Sequence, residues 1–331
     1  MKIEKNKLKE ALEIVKPGLA SKEMIEQSTS FCFLDNKVVT YNDEISISHP
    51  IEIELTGAIN AVELYAFVSK AKEKELDLSV TDNEILIKSG RSRAGLTLQS
   101  EIKLPLEEIG EIKKWKKLPA DFTAGLKFAM GAASRDMSSP VLTCVHCKEN
   151  YLVGCDNFRI AKFELSGKIP VKEFLLPADT AAKVIKLFPD EIALSEGWVH
   201  FKTNTGTILS CRIFEDKYPD VEEHLQGKGT GLTFPKNTNE ILERAGVFAK
   251  RDHMLDEMVE ISVNKGRLQV KAESASGWFK ETEKVNCKEE IQFNITPYLL
   301  RDILTETLNG TIMENKLLFS SENWKYMTLL K

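Results

Sequence analysis

No run of about 18 apolar residues occurs in the 331-residue chain, so it offers no membrane-spanning helix. The start, Met1-Lys-Ile-Glu-Lys-Asn-Lys7, alternates charge and lacks the apolar stretch of a secretory signal, so a cytoplasmic protein with no membrane partner is expected. The sequence has no Gly-x-x-x-x-Gly-Lys-Ser/Thr phosphate loop, no Gly-x-Ser-x-Gly elbow and no His-Glu-x-x-His pair. Its five histidines are scattered at 49, 146, 200, 224 and 253. No catalytic constellation and no cofactor follow from this inventory, and the chain reads as a non-enzyme. There is no basic excess either. A net charge of −5 argues against a protein that coats nucleic acid electrostatically, while leaving room for local basic surfaces.

Cysteine is sparse, at six residues. Without a secretion signal they read as reduced thiols. Cys144-Val-His-Cys147 with Cys155 nearby resembles a metal site only superficially: the spacing is compact and no second ligand pair follows. Residues 141–147 read as a strand whose thiols pack.

What is present is repetition, with a period near 115 residues. Helical stretches start at Ala61, Ala178 and Thr296, and each is followed by a strand hairpin that places Ile87, Phe201 or Phe319 at the same point. Earlier helices correspond through apolar stripes: Leu8, Leu12 and Val15; Phe122, Leu126, Ala129 and Ala133; Ile241, Ala245 and Phe248. Strands such as 37–41 and 267–271 alternate, with Asp35-Asn-Lys37 and Asn264-Lys-Gly266 supplying hairpin turns. Charged residues 106–119 and Gly-rich residues 226–231 read as linkers. The expected fold class is α+β, with three tandem units at 1–113, 114–228 and 229–331, each an antiparallel sheet layer carrying two helices. The six helical stretches hold five more basic than acidic residues, leaving an excess of ten acidic residues elsewhere.

Four segments in order resemble one family. Cys155-Asp-Asn-Phe-Arg-Ile-Ala161 resembles the Thr-Asp-(Gly/Ser)-His-Arg-Leu-Ala corner of the bacterial DNA polymerase sliding clamp, the β subunit of DNA polymerase III. Ser89-Gly-Arg-Ser-Arg93 with the strand after it, the segment 212–220 ending Tyr-Pro-Asp, and Gln292-Phe-Asn-Ile-Thr-Pro-Tyr298 are similar to further parts of that family. The resemblance implies a head-to-tail dimer of six clamp units, with helices lining a hole around duplex DNA and sheets outside. It implies sequence-independent, topological binding of double-stranded DNA, with a DNA polymerase and a separate clamp loader as partners.

Candidate phosphate contacts are Lys9, Lys22, Lys70 and Lys127, with Arg135, Lys183 and Arg244. Lys22 lies in a loop that is basic in the family; the others rest on helix position. The resemblance also implies a cleft for a partner peptide. Its wall here would be Cys155, Phe158, Arg159 and Ile160 from the corner, Pro219 and His224, and Met327, Thr328, Leu329 and Leu330 from the C-terminal stretch. The implied dimer contact sets Arg91, Arg93 and Ala94 against Val247, Phe248, Glu281 and Glu283. Asn157 and Phe158 replace the usual corner residues, and the tail is short, which suggests a version carried by a phage or mobile element. Two competing readings remain. One is a metal-dependent nucleotide-processing enzyme; the other is a clamp-like scaffold that does not slide. Metal content separates the first, and a solution mass of twice the 37.3 kDa chain separates the second.

Overall fold

The computed structural model describes residues 1–81, 83–112, 114–252 and 256–331. Lys113, within the first expected linker, and His253 lie outside the described residues. The chain opens with β1 (Lys2–Glu4), α1 (Lys5–Val15), β2 (Ser30–Leu34), β3 (Lys37–Tyr41), β4 (Ile45–Pro50), β5 (Gly57–Asn60), α2 (Ala61–Lys70), β6 (Glu75–Val80), β7 (Glu84–Ser89) and β8 (Ser92–Thr97). It continues with β9 (Lys116–Lys117), α3 (Phe122–Met130), β10 (Cys144–Cys147), β11 (Tyr151–Cys155), β12 (Arg159–Glu164), β13 (Phe174–Pro177), α4 (Ala178–Leu187), β14 (Glu191–Ser195), β15 (Trp198–Lys202) and β16 (Ile208–Arg212). It ends with β17 (Thr230–Thr233), α5 (Thr238–Ala249), β18 (Val259–Asn264), β19 (Arg267–Ser274), β20 (Gly277–Lys284), β21 (Ile291–Ile295), α6 (Pro297–Leu304), β22 (Asn309–Ile312), β23 (Lys316–Ser320) and β24 (Trp324–Leu329). One order, strand–helix–four strands–helix–three strands, therefore occurs three times in succession.

By contacts, the chain divides into two compact units: residues 1–124 with 166–216, and residues 125–165 with 217–331. The first unit holds a sheet ordered β1-β6-β7-β8 and a longer one ordered β5-β2-β3-β4-β16-β15-β14-β9. The second holds a sheet ordered β20-β19-β18-β21 and a run β10-β11-β12-β24-β23-β22-β17. These units are not the repeated copies. Pairing of β4 with β16, and of β12 with β24, carries a sheet from one copy into the next.

Local chemistry explains the elements. Asp35 and Asn36 have φ of 49° and 54°, and Lys265 and Gly266 of 47° and 72°. Both pairs form two-residue loops of the primed type, whose twist suits a hairpin. The Asn60 side chain caps α2 by accepting the Val62 N–H at 2.9 Å. Leu8, Leu12 and Val15 of α1 are buried, as are Ile241 and Ala245 of α5, which join Ile261, Val263, Leu268 and Val270 in the second unit's core. Each fully buried leucine, isoleucine or valine among them contributes about 1.5–3 kcal/mol.

Strand β3 corrects a sequence expectation. It does not alternate, because Val38, Val39, Thr40 and Tyr41 are all buried. The α1 side covers one face, where the Thr40 hydroxyl donates to Val15 O at 2.6 Å. The other face meets a cluster of Tyr41, Leu104, Ile109 and Trp198.

A buried polar chain ties residues 106–109 to the first unit's long sheet. The Ser195 hydroxyl donates to Ile109 O at 2.6 Å, so its oxygen accepts from His200 Nε2 at 2.9 Å. His200 Nδ1 then accepts from the Ser210 hydroxyl at 2.8 Å. Burial pushes His200 from 6.5 down to about 4. As pH falls from 6.5 through about 4, the unfolded chain takes up a proton that folded His200 refuses, so this contribution to stability is full above the window and lost within it. The loss is on the order of 3 kcal/mol at one unit per about 1.4 kcal/mol. Urea unfolding at pH 7 and pH 4.5 should show a steeper fall for the wild type than for His200→Gln; equal slopes would refute the assignment.

Candidate partner cleft and charged surfaces

The corner between β11 and β12 lies in the second unit and is built around Asp156. Its Oδ1 accepts the N–H groups of Phe158 and Arg159, each at 2.8 Å. Its Oδ2 accepts Arg159 Nε at 3.1 Å. Gly154 allows the approach, since a Cβ there would sit 2.0 Å from Ala129 O. Strand β12 then pairs with β24, Arg159 opposite Thr328 and Ile160 opposite Met327. The Leu329 N–H donates to Phe158 O at 2.8 Å, which anchors the C-terminal stretch to the corner. Lys331 and Asn294 exchange both main-chain bonds, at 2.8 and 3.2 Å.

Residues adjacent on a strand point to opposite faces, so the contiguous cleft residues read from the sequence do not share one surface. Arg159, Thr328 and Tyr326 lie on the face toward α6, where the Tyr326 hydroxyl donates to Leu299 O at 3.1 Å. Ile160 and Met327 lie on the other face. There the Tyr218 hydroxyl donates to Cys155 Sγ at 3.3 Å, and Lys162 Nζ donates to Glu222 at 2.6 Å. Cys155, Arg159, Ile160, Met327 and Thr328 are buried; Phe158 and Leu330 are half-buried; Pro219, His224 and Leu329 are exposed. Of the apolar side chains among these, Phe158, Pro219 and Leu329 remain open to solvent, while Leu330 packs against the second unit's core.

Arg159 is fixed from two sides. NH1 donates to Asp302 Oδ2 at 2.8 Å, and the guanidinium lies 5.5 Å from the Tyr298 ring. Burial opposes its charge, but Tyr326, Asp156 and Asp302 outweigh burial and raise its pKa. Tyr298 and Asp302, one turn apart on α6, were not read as site residues from the sequence. Their spacing on one helix face was the available signal. Burial also raises the thiols of Cys155, Cys144 and Cys147, with Cys144 pushed up to about 11.

Among the expected phosphate contacts, Lys22, Lys70, Lys127 and Arg135 are exposed. Lys9 lies 3.5 Å from Glu13, and Lys183 Nζ reaches Asp179 O at 3.4 Å. Arg244 grips Glu281 through two bonds of 2.7 and 3.0 Å. Arg91 and Arg93 are exposed and Ala94 is half-buried on β8, the outer strand of its sheet. Val247 is exposed, while Phe248 stacks on Phe279 with centroids 6.1 Å apart. Glu281 and Glu283, expected to be open to arginines of another chain, are engaged within their own, Glu283 by Asn237 Nδ2 at 2.8 Å.

No helix among the described residues is long and apolar enough to cross a membrane. No protein-family model matches the sequence, and no curated protein does. Solved structures do match over full length. DNA polymerase III subunit beta from Pseudomonas aeruginosa aligns at TM-score 0.87 and 15% identity, covering 100% of this chain and 99% of that one. The DNA polymerase sliding clamp from Bacillus subtilis aligns at 0.86 and 18%, covering 100% and 98%. The DNA polymerase III beta chain from Streptococcus pneumoniae aligns at 0.85 and 20%, again covering 100% and 98%. The chain thus has the α+β fold of the bacterial sliding clamps, with four sheets and six helices among its described residues.

Proposed function

We propose that this protein is a DNA sliding clamp, a non-enzymatic processivity factor that encircles duplex DNA and tethers a polymerase. The observation that carries the reading is the threefold element order on a full-length clamp fold. The three copies would be clamp domains at 1–113, 114–228 and 229–331, and two chains would close a ring of six. The edge strands support closure: β8 and β20 are outermost in their sheets, the positions that β16 and β4 hold where they join inside the chain. A separate loader would open the ring. The partner peptide would seat on Phe158, Pro219 and Leu329, accessible apolar side chains suited to anchors from an extended segment.

Direct affinity for DNA should be weak and salt-sensitive, because an acidic protein makes few phosphate contacts and a topological link needs none. Protein loaded on nicked circular duplex should co-elute with the circle and be released when the circle is cut. Equal retention on cut and uncut DNA, or tight binding to a short linear duplex, would contradict the reading.

A further inference from the structure

Two loops in different copies share a design. The first follows α1 and is closed by Ala20 N–H donating to Ser28 O at 2.9 Å. The second follows α3 and is closed by Ser134 N–H donating to Leu142 O at 2.8 Å, the same separation of eight residues. Compact closed loops of this length are packed by their own groups rather than loose. Each carries a basic residue, an acidic residue and a methionine in sequence: Lys22-Glu-Met24 and Arg135-Asp-Met137. After α5 the sequence again reads Arg251-Asp-His-Met254, whose last two residues lie outside the described residues.

In both loops the acid is consumed internally. Glu23 Oε1 accepts the Gln27 N–H at 2.7 Å. Asp136 accepts the Ser138 N–H at 2.9 Å and its hydroxyl at 2.8 Å, bonds that hold its carboxyl below the usual range. What remains outward is a cation and a thioether. Lys22 and Arg135 are exposed, and Met24 and Met137 are 89% and 71% exposed. An apolar side chain held in water beside a free cation, twice and in equivalent places, fits a polyanion with apolar grooves. Methionine suits an uneven, moving surface, since it is flexible and polarizable. In a duplex groove it meets sugar edges without reading sequence.

We propose that Met24 and Met137 are apolar feet on duplex DNA, each set into a groove by the phosphate contact of the neighbouring Lys22 or Arg135. The inference rests on the clamp reading. Exposed methionines oxidise to sulfoxides, so contact can be read as protection from peroxide. Wild-type protein, free or loaded on nicked circular duplex, would be oxidised and each methionine followed by mass spectrometry. Met24 and Met137 should oxidise severalfold more slowly on the circle. Met1, 46% exposed beside Leu78 in the sheet, should not change. Protein that co-elutes with the circle while Met24 and Met137 oxidise at their free rates would overturn the proposal and leave the clamp reading standing. Protein that does not associate with the circle would overturn both.

Discussion

Asp156→Ala should destabilise the chain by about 3–5 kcal/mol, the cost of removing the more buried partner of a buried charge. Asp302→Ala should cost less than about 1 kcal/mol, as for an exposed ion pair. Both carboxylates touch Arg159, whose side chain is 10% exposed, and the shorter contact is the one to Asp302. Distance alone would rank them the other way. Burial reverses the order, because the Asp156 side chain is 14% exposed and that of Asp302 is 57% exposed. Asp156 also accepts two main-chain N–H groups, which its loss would leave without their acceptor. Its loss frees the turn that presents Phe158, so peptide binding should fall with stability. Urea unfolding of the two variants tests this; comparable midpoints for both would overturn the ranking.

Much of the fold was legible because its signals are local. Six helices were readable from apolar spacing, and the hairpins from Asp35-Asn36 and Lys265-Gly266, since those turns demand positive φ and advertise it in residue type. The equivalence of Ile87, Phe201 and Phe319 was legible because all three fill the same buried point of a hairpin. Burial of β3 on both faces was not, since it depends on Trp198 and Ile109 far along the chain. The corner's ion pair was readable from the three-residue spacing of Asp156 and Arg159, but Asp302 was not, being 143 residues from Arg159. Treating Met327, Thr328 and Leu329 as one wall ignored strand alternation, which only the pairing of β12 with β24 makes concrete. Loop methionines carry no periodicity and became visible only as exposed side chains.

On the proposed clamp reading, the repeat predicts how two chains would join, residue by residue. Inside the chain, Leu209 of β16 pairs with Ile47 of β4, and Tyr326 of β24 pairs with Ala161 of β12. Ala94 lies opposite Ile87, as Leu209 lies opposite Phe201 and Tyr326 opposite Phe319, so these three positions are equivalent. Ile47 lies opposite Thr40 and Glu281 opposite Val270, and Thr40 and Val270 are each the fourth residue after a two-residue turn. Edge pairing of β8 with β20 of a second chain would then set Ala94 against Glu281, Ser92 against Glu283 and Arg93 against Thr282. In this register Arg93 projects to the face away from Glu281 and Glu283, so the sheet edge, rather than those charge pairs, would hold the dimer. Antiparallel partners stand about 4.5–5.5 Å apart at Cα, within the range a disulfide spans. A chain carrying Ala94→Cys and Glu281→Cys should oxidise to a covalent species of twice the 37.3 kDa chain mass. Background should be low because the six native cysteines are buried. Loss of the exposed Arg244–Glu281 pair should be tolerated. A one-residue slip turns side chains to opposite faces, so Ala94→Cys with Thr282→Cys should stay monomeric on a non-reducing gel. Efficient cross-linking of that second pair, with none of the first, would overturn the register.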